Sequence, residues 1–136
     1  MWLHRQYAKR FEISAEELEA TPMWPTTRAY TNFLVRFAQS GDYAEAVAAL
    51  LPCTWGYVDL ALELAKGEPP EDQRYADWIT QYSDPEFVAA AEWLKNEMER
   101  VASEKNPLGR ERLTNLFVTS CRYELAFWEM CWRGEG

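Results

Sequence analysis

Apolar residues recur at helical spacing along almost the whole chain, and this periodicity constrains the fold more than any other feature. Steps of three and four residues define five long segments, and proline or glycine separates the segments from one another. The predicted helices cover about residues 26–39, 42–66, 74–82, 85–105 and 110–132, after two short segments near residues 1–12 and 14–20. No stretch alternates apolar and polar residues as a half-buried strand does. The sequence therefore predicts an all-α helical bundle with short loops, in one domain spanning residues 1–136.

The composition allows one compact core and argues against several classes of partner. The chain has 136 residues, 48% of them hydrophobic, and 14 basic residues against 22 acidic ones make the net charge −8. Phosphate contacts need a basic face, so neither nucleic acid nor an anionic membrane surface is an expected partner. No uninterrupted apolar run approaches the roughly 20 residues of a membrane helix, and the N-terminus lacks the apolar core of a signal peptide.

Cysteine and histidine usage predicts a reduced, cytoplasmic protein and argues against a zinc site. The three cysteines, Cys53, Cys121 and Cys131, form no CxxC pair, and an odd number does not suit a disulfide framework. We expect Cys121 and Cys131 to fill the core. His4 is the single histidine, and its place at the terminus argues against both a zinc site and haem ligation.

The predicted helix over residues 42–66 carries two neighbouring apolar stripes, so it is expected to lie at the centre of the bundle. Pro52 interrupts this helix, and an interior proline removes one backbone hydrogen bond at a cost of about 3 kcal/mol. Such a bend is tolerated where the bent geometry is useful. Cys53 comes next, and Tyr57 lies one turn further on the same face. Two interpretations of Cys53 stay open: a nucleophile aimed into a cavity, or a buried core cysteine, which is the commoner role.

The last predicted helix carries a carboxylate inside its apolar stripe. Glu124 lies in line with Phe117, Cys121 and Trp128. A carboxylate on a core face is costly unless it is paired, hydrogen-bonded or protonated, and desolvation raises its pKa toward a range useful for a general acid. The alternative is a structural carboxylate bonded to a tyrosine or to Arg122.

Aromatic stripes on two further helices place Tyr30 and Tyr82 toward the interior. Each is either a core aromatic with a satisfied hydroxyl or the wall of a pocket. One thiol, one carboxyl and several phenols that face inward suit a pocket for a flat polar ring, because aromatic walls stack on a heterocycle and hydroxyls bind its edge.

Three motifs, in order along the chain, resemble the TenA/thiaminase II family. AALLPCTWGYVDLALEL is similar to its Pro-Cys-x-Trp-x-Tyr segment, WITQYSDPEF to its Trp-Ile-x-x-Tyr segment, and SCRYELAFWEMCW to its closing Tyr-Glu-x-x-Phe-Trp-x-Met helix. AYTNFLVRFAQSGDYAEAVAALLPC fits the preceding helix pair, so the resemblance covers almost the whole chain.

The resemblance implies a heme oxygenase-like all-α fold, a homotetramer, and hydrolysis of aminopyrimidines for thiamin salvage, with thiamin itself cleaved by some members. It also implies that no metal or organic cofactor is needed. By motif, Cys53 resembles the nucleophile that adds to the pyrimidine, and Glu124 resembles the catalytic acid. Tyr57 and Tyr82 resemble substrate contacts, and Tyr30 resembles a pocket tyrosine. The chemistry agrees, because a protonated pyrimidine ring accepts a thiolate readily.

The resemblance also implies a difference at the N-terminus. Family domains are longer there, and this chain is expected to begin inside a family helix, without the aspartate that holds the aminopyrimidine. None of Asp42, Asp59, Asp72, Asp77 or Asp84 falls in a motif that matches the one around that aspartate, so the role is assigned to none of them. A fragment of a normal enzyme, a decayed copy and one part of a split enzyme all stay open. The alternative to catalysis is an inactive or regulatory pyrimidine-binding protein.

Overall fold

The computed structural model describes residues 2–134, with side chains from residue 5 onward. Within that part of the chain the secondary structure is entirely helical, which confirms the predicted all-α class. The helices are α1 (Trp2–Arg10), α2 (Ala15–Ala20), α3 (Pro25–Ser40), α4 (Tyr43–Leu64), α5 (Gln73–Tyr82), α6 (Pro85–Ser103) and α7 (Pro107–Arg133). The side chain of His4 lies outside the described residues.

Short polar side chains begin most of these helices. Ser14 and Asp42 each accept a hydrogen bond from the backbone three residues on, and a glutamate there bonds back to the cap. Asp84 caps α6 just before a first-turn proline. Asn106 does the same for α7, which therefore begins at Pro107 rather than near residue 110 as predicted.

Helix α4 lies at the centre, packed against α3, α5, α6 and α7. Its alanines allow this close approach, since Ala48, Ala49 and Ala61 have almost no exposed surface. Pro52 is buried within the helix, as the sequence indicated. The central position predicted for this segment is confirmed.

The outer side of α4 is apolar as well. Tyr43, Leu50, Leu60, Leu62 and Leu64 are all exposed. By length and composition alone α4 could cross a membrane, although Glu45, Asp59 and Glu63 interrupt it. Only 39% of its most apolar window is buried. The central helix of a bundle is expected to be equally apolar, so the length and composition of α4 are weak evidence that it spans a membrane.

The prediction that Cys121 and Cys131 fill the core is wrong. Both side chains are exposed, and in α7 only Leu113, Ser120 and Met130 are buried. Leu113, at the start of the predicted apolar stripe of α7, is buried, whereas Phe117, Cys121, Glu124 and Trp128 further along it line an open cleft. Its spacing indicated a face but not the extent to which that face is covered.

Candidate active site

Tyr30 and Glu124 form the central contact of the site. The Tyr30 hydroxyl, which is buried, donates to Oε1 of Glu124 over 2.6 Å and so joins α3 to α7. The ring of Tyr30 stacks on Tyr123, with ring centroids 5.4 Å apart, which fixes the direction of the hydroxyl. Of the two partners the sequence suggested for Glu124, the structure shows a tyrosine.

The surroundings of Glu124 favour its protonated form. Burial raises the pKa of this half-buried carboxyl, and the hydrogen bond from Tyr30 lowers it by less. Burial, with the Glu124 hydrogen bond and charge, also raises the pKa of Tyr30 well above that of an ordinary phenol. Tyr30 therefore stays a neutral hydrogen-bond donor, and Glu124 is the group of the pair suited to proton transfer.

Cys53 lies close enough to both residues to be influenced by them. Burial raises the pKa of its thiol, the charge of Glu124 raises it further, and hydrogen bonds with Thr54 and Tyr30 lower it. Its Sγ donates to the carbonyl of Leu50 over 3.0 Å, within its own helix. The thiol therefore keeps its proton while Glu124 is charged, and it ionises more readily once Glu124 is protonated.

Tyr57 and Tyr82 belong to an aromatic cluster that joins α4, α5 and α7. The ring centroid of Tyr57 lies 5.1 Å from that of Tyr82, 5.6 Å from Trp128 and 6.0 Å from Trp78. Burial raises the pKa of both phenols, and the charge of Glu124 adds to the effect at Tyr57. Both tyrosines therefore act as neutral hydroxyls on apolar rings.

A cleft of about 300 Å³ opens between α4 and α7 beside this cluster. Tyr57 and Glu124 line it, whereas Cys53, Tyr30 and Tyr82 do not. The remaining lining residues are Pro52, Trp55, Gly56, Asp59, Leu60, Phe117, Cys121 and Trp128. The rings provide the apolar wall that a flat heterocycle needs, and Glu124 provides a polar group within it.

Ser120 is the polar residue of this site that sequence reasoning missed. It lies one helical turn before Glu124 and has no exposed surface. Its Oγ lies 3.3 Å from the Tyr30 hydroxyl and donates to the carbonyl of Ala49 over 2.6 Å. The sequence does contain a sign of this role, because Ser120 stands four residues before a core-facing glutamate and residues at that spacing share one helix face. Trp78, whose ring centroid lies 4.7 Å from that of Tyr82, is a further aromatic residue of the site that the sequence did not single out.

Across the described part of the chain, residues 2–134, no group of three or more His, Cys, Asp or Glu side chains could hold a metal ion. The chemistry that this arrangement offers is that of a thiol, a carboxyl with a raised pKa and a phenol that contacts both. Nucleophilic addition assisted by a general acid is the reaction class that these groups support.

The fold and the site together define an all-α helical bundle with a thiol, a carboxyl of raised pKa and several phenols beside one cleft. The chain belongs to the TENA/THI-4/PQQC family, whose sequence profile matches residues 1–134. The recognition made from the three motifs is thereby confirmed.

Individual relatives agree with this assignment. The chain is 40% identical over 134 residues to an aminopyrimidine aminohydrolase of Halalkalibacterium halodurans, covering 97% of this chain and 59% of that protein. It is 37% identical to the aminopyrimidine aminohydrolase of Bacillus subtilis, covering 100% of this chain and 57% of the relative. A solved TenA homologue from P. horikoshii OT3 superposes with a TM-score of 0.84 at 30% identity, over 95% of this chain and 59% of that one. The chain thus spans just under six-tenths of the length of each of these proteins.

Proposed function

We propose that this chain carries the catalytic groups of an aminopyrimidine hydrolase of thiamin salvage. The reaction replaces the amine of an aminomethyl aminopyrimidine with a hydroxyl from water, giving a hydroxymethyl pyrimidine and ammonia; cleavage of thiamin is a further expected activity. The observation that carries the proposal is the Tyr30–Glu124 hydrogen bond beside Cys53 and the aromatic cleft. The names of the relatives support the substrate class.

The proposed chemistry begins with addition to the ring. Protonated Glu124 donates its proton to a ring nitrogen, and Sγ of Cys53 forms a bond to a ring carbon. The thiol proton passes to the Glu124 carboxylate, and Tyr30 contacts both groups. The addition moves an electron pair into the ring and breaks its aromaticity.

The ring electrons then expel the amine. The exocyclic carbon–nitrogen bond breaks, and the amine leaves as ammonia with a proton from Glu124. Water adds its oxygen to the exocyclic carbon and returns a proton to Glu124. Finally the sulfur–carbon bond breaks, the aromatic ring is restored, and the ring proton returns to the thiolate. Glu124 and Cys53 thereby regain their starting protonation states, and no oxidant or reductant is consumed.

Ammonia release from an aminomethyl aminopyrimidine tests the proposal. Cys53→Ala is expected to abolish release, and Glu124→Gln to lower it by roughly 10²–10⁴-fold, the usual contribution of a general acid. Cys131→Ala serves as the matched control and is expected to leave ammonia release unchanged, because that thiol is exposed and does not line the cleft. Full activity of the Cys53→Ala chain would contradict the mechanism.

A pyrimidine-binding protein without turnover is the second candidate. One observation favours it: Cys53 does not line the cleft that Tyr57 and Glu124 border. Calorimetry separates the two candidates. Pyrimidine binding with no product supports the binding protein, whereas ammonia release eliminates it.

Self-association is the partner interaction that we propose, with a tetramer expected from the family resemblance. Val35, Tyr43, Leu50 and Trp93 are exposed and line one apolar groove between α3, α4 and α6. The cytoplasmic location stays a prediction from the sequence, and the lack of a cofactor stays a prediction from the family resemblance.

A further inference from the structure

Ser120 connects the two parts of the site that carry its chemistry. It is fully buried in α7, one turn before Glu124. Its hydroxyl donates to the carbonyl of Ala49 in α4 over 2.6 Å, and its oxygen lies 3.3 Å from the hydroxyl of Tyr30 in α3. Three helices thus meet at a single serine oxygen, and a polar group with no exposed surface is costly unless its hydrogen bonds are satisfied.

On the α4 side, Ser120 contacts the turn that precedes Cys53. Pro52 has no N–H and therefore leaves the carbonyl of Ala48 without its usual helical donor. Ser120 donates to the next carbonyl, that of Ala49, four residues before Cys53. A hydroxyl of α7 thereby tethers the proline-containing turn whose end positions the thiol.

On the α3 side, Ser120 offers the Tyr30 hydroxyl a second oxygen to which it can donate its hydrogen. When Glu124 is charged, Tyr30 donates to Glu124, and the hydrogen of Ser120 goes to Ala49. When Glu124 is protonated, its remaining carbonyl oxygen accepts from Tyr30 more weakly than a carboxylate does, and its O–H donates to the Tyr30 oxygen only when the Tyr30 hydrogen turns to another acceptor. The Ser120 oxygen lies at 3.3 Å and accepts it without giving up its own bond to Ala49.

We propose that Ser120 is a positioning residue: by accepting a hydrogen bond from Tyr30, it allows Glu124 to hold its proton. Its part in catalysis rests on the proposed function, whereas its effect on the carboxyl does not. Without the serine oxygen, the Tyr30 hydrogen has as acceptors, once Glu124 is protonated, only the carbonyl oxygen of the neutral carboxyl and the sulfur of Cys53, both weaker than a carboxylate. Loss of Ser120 therefore favours the carboxylate.

Several titratable groups face Glu124 and belong in any account of its protonation. Tyr30 contacts it from α3, and Cys53 and Tyr57 feel its charge from α4. Asp59 of α4 and Cys121 of α7 line the same cleft. Tyr82 of α5 and Cys131 of α7 interact with Tyr57 rather than with Glu124. Tyr30 alone among these groups forms a hydrogen bond with Glu124 and also contacts Ser120.

The test is a direct titration of Glu124 by carbon NMR of the glutamate carboxyls in the full chain, with the signal identified by its loss in Glu124→Gln. Ser120→Ala is expected to lower the pKa of Glu124 by about 0.5 to 1, the equivalent of one ordinary hydrogen bond. Tyr30→Phe is expected to raise it, because the bond that stabilises the carboxylate is gone. In the Tyr30→Phe background, Ser120→Ala is expected to have no further effect.

Thr119→Ala is the matched control, since Thr119 is also on α7 and its hydroxyl bonds only its own helix, at the carbonyl of Asn115. It is expected to leave the pKa of Glu124 unchanged. If Ser120→Ala does not fold, Ser120→Cys replaces it. The expected fall in the pKa of Glu124 is then smaller, because sulfur still accepts a hydrogen bond, although weakly. An unchanged or raised pKa of Glu124 in either serine variant overturns the proposal. A fall of equal size in the parent and in the Tyr30→Phe background overturns it as well. The titration gives its answer whether or not the chain releases ammonia, so failure here is distinct from failure of the proposed function.

Discussion

Glu124 illustrates how a residue that breaks a sequence pattern is satisfied by a distant partner. Its position in an apolar stripe indicated a cost, and the structure reduces that cost with a hydrogen bond from a tyrosine 94 residues away. The bond does not cancel the effect of burial, because the pKa of Glu124 still lies above its ordinary value. A buried carboxyl with a raised pKa is suited to donate a proton, but it lowers the stability of the fold when it is charged.

The pH dependence of stability follows from that shift. The folded chain holds the Glu124 proton more tightly than the unfolded chain, so stability falls as pH rises from the unfolded pKa through the raised folded pKa. Glu124→Gln cannot ionise and keeps an oxygen that accepts from Tyr30. We therefore expect the variant to be more stable than the parent above the folded pKa, with the difference vanishing below the unfolded one.

Urea unfolding at several pH values measures this difference. Glu129→Gln is the control, because Glu129 lies on the same helix and is exposed, and it is expected to show no such dependence. A variant advantage that is constant between pH 4 and pH 8 would show that burial of the Glu124 charge is not its cause.

Helix α4 depends on its N-terminal cap for more than its own first turn. Asp42 accepts from the backbone of Glu45 over 2.9 Å and binds Lys105, which follows α6, over 2.6 Å. Glu45 is buried and pairs with Arg112 of α7. The cap therefore holds the start of the central helix against α7 and the loop that joins α6 to α7.

Asp42→Ala is expected to lower the free energy of unfolding by about 0.5–2 kcal/mol, the usual value of a helix cap. Ser14→Ala removes the same kind of cap from α2, a helix with no buried residue. Its effect on global unfolding is expected to be smaller, because α2 can fray while the bundle stays intact. Equal losses in the two variants, measured by urea denaturation, would contradict this difference between central and peripheral helices.

The molecule exposes several large apolar side chains that are not packed into its core. Trp93, Trp128 and Trp132 are exposed, together with the outer side of α4. Exposed apolar patches of this kind mark contact surfaces or cause aggregation. The groove that Trp93 borders is the contact surface that we propose.

Trp93→Glu is expected to lower the mass of the particle in sedimentation equilibrium, because a charge in an apolar contact is costly to desolvate. Trp132→Glu is the control, since Trp132 is also exposed but lies near the end of α7, away from that groove. If the two variants sediment alike, the groove is not the surface through which copies associate.

The sequence by itself determined the helices, the central place of α4 and the family. Periodicity, caps such as Asp42 and breaks such as Pro107 act over a few residues, so they can be read along the chain. Only the tertiary structure decided that Tyr30 forms a hydrogen bond with Glu124 and that the Ser120 hydroxyl lies 3.3 Å from that of Tyr30. It also decided that Cys121 and Cys131 are exposed. Those outcomes depend on how far each helix is rotated and covered by its neighbours. Residues 90 or more positions apart meet through helix packing, which local spacing does not specify.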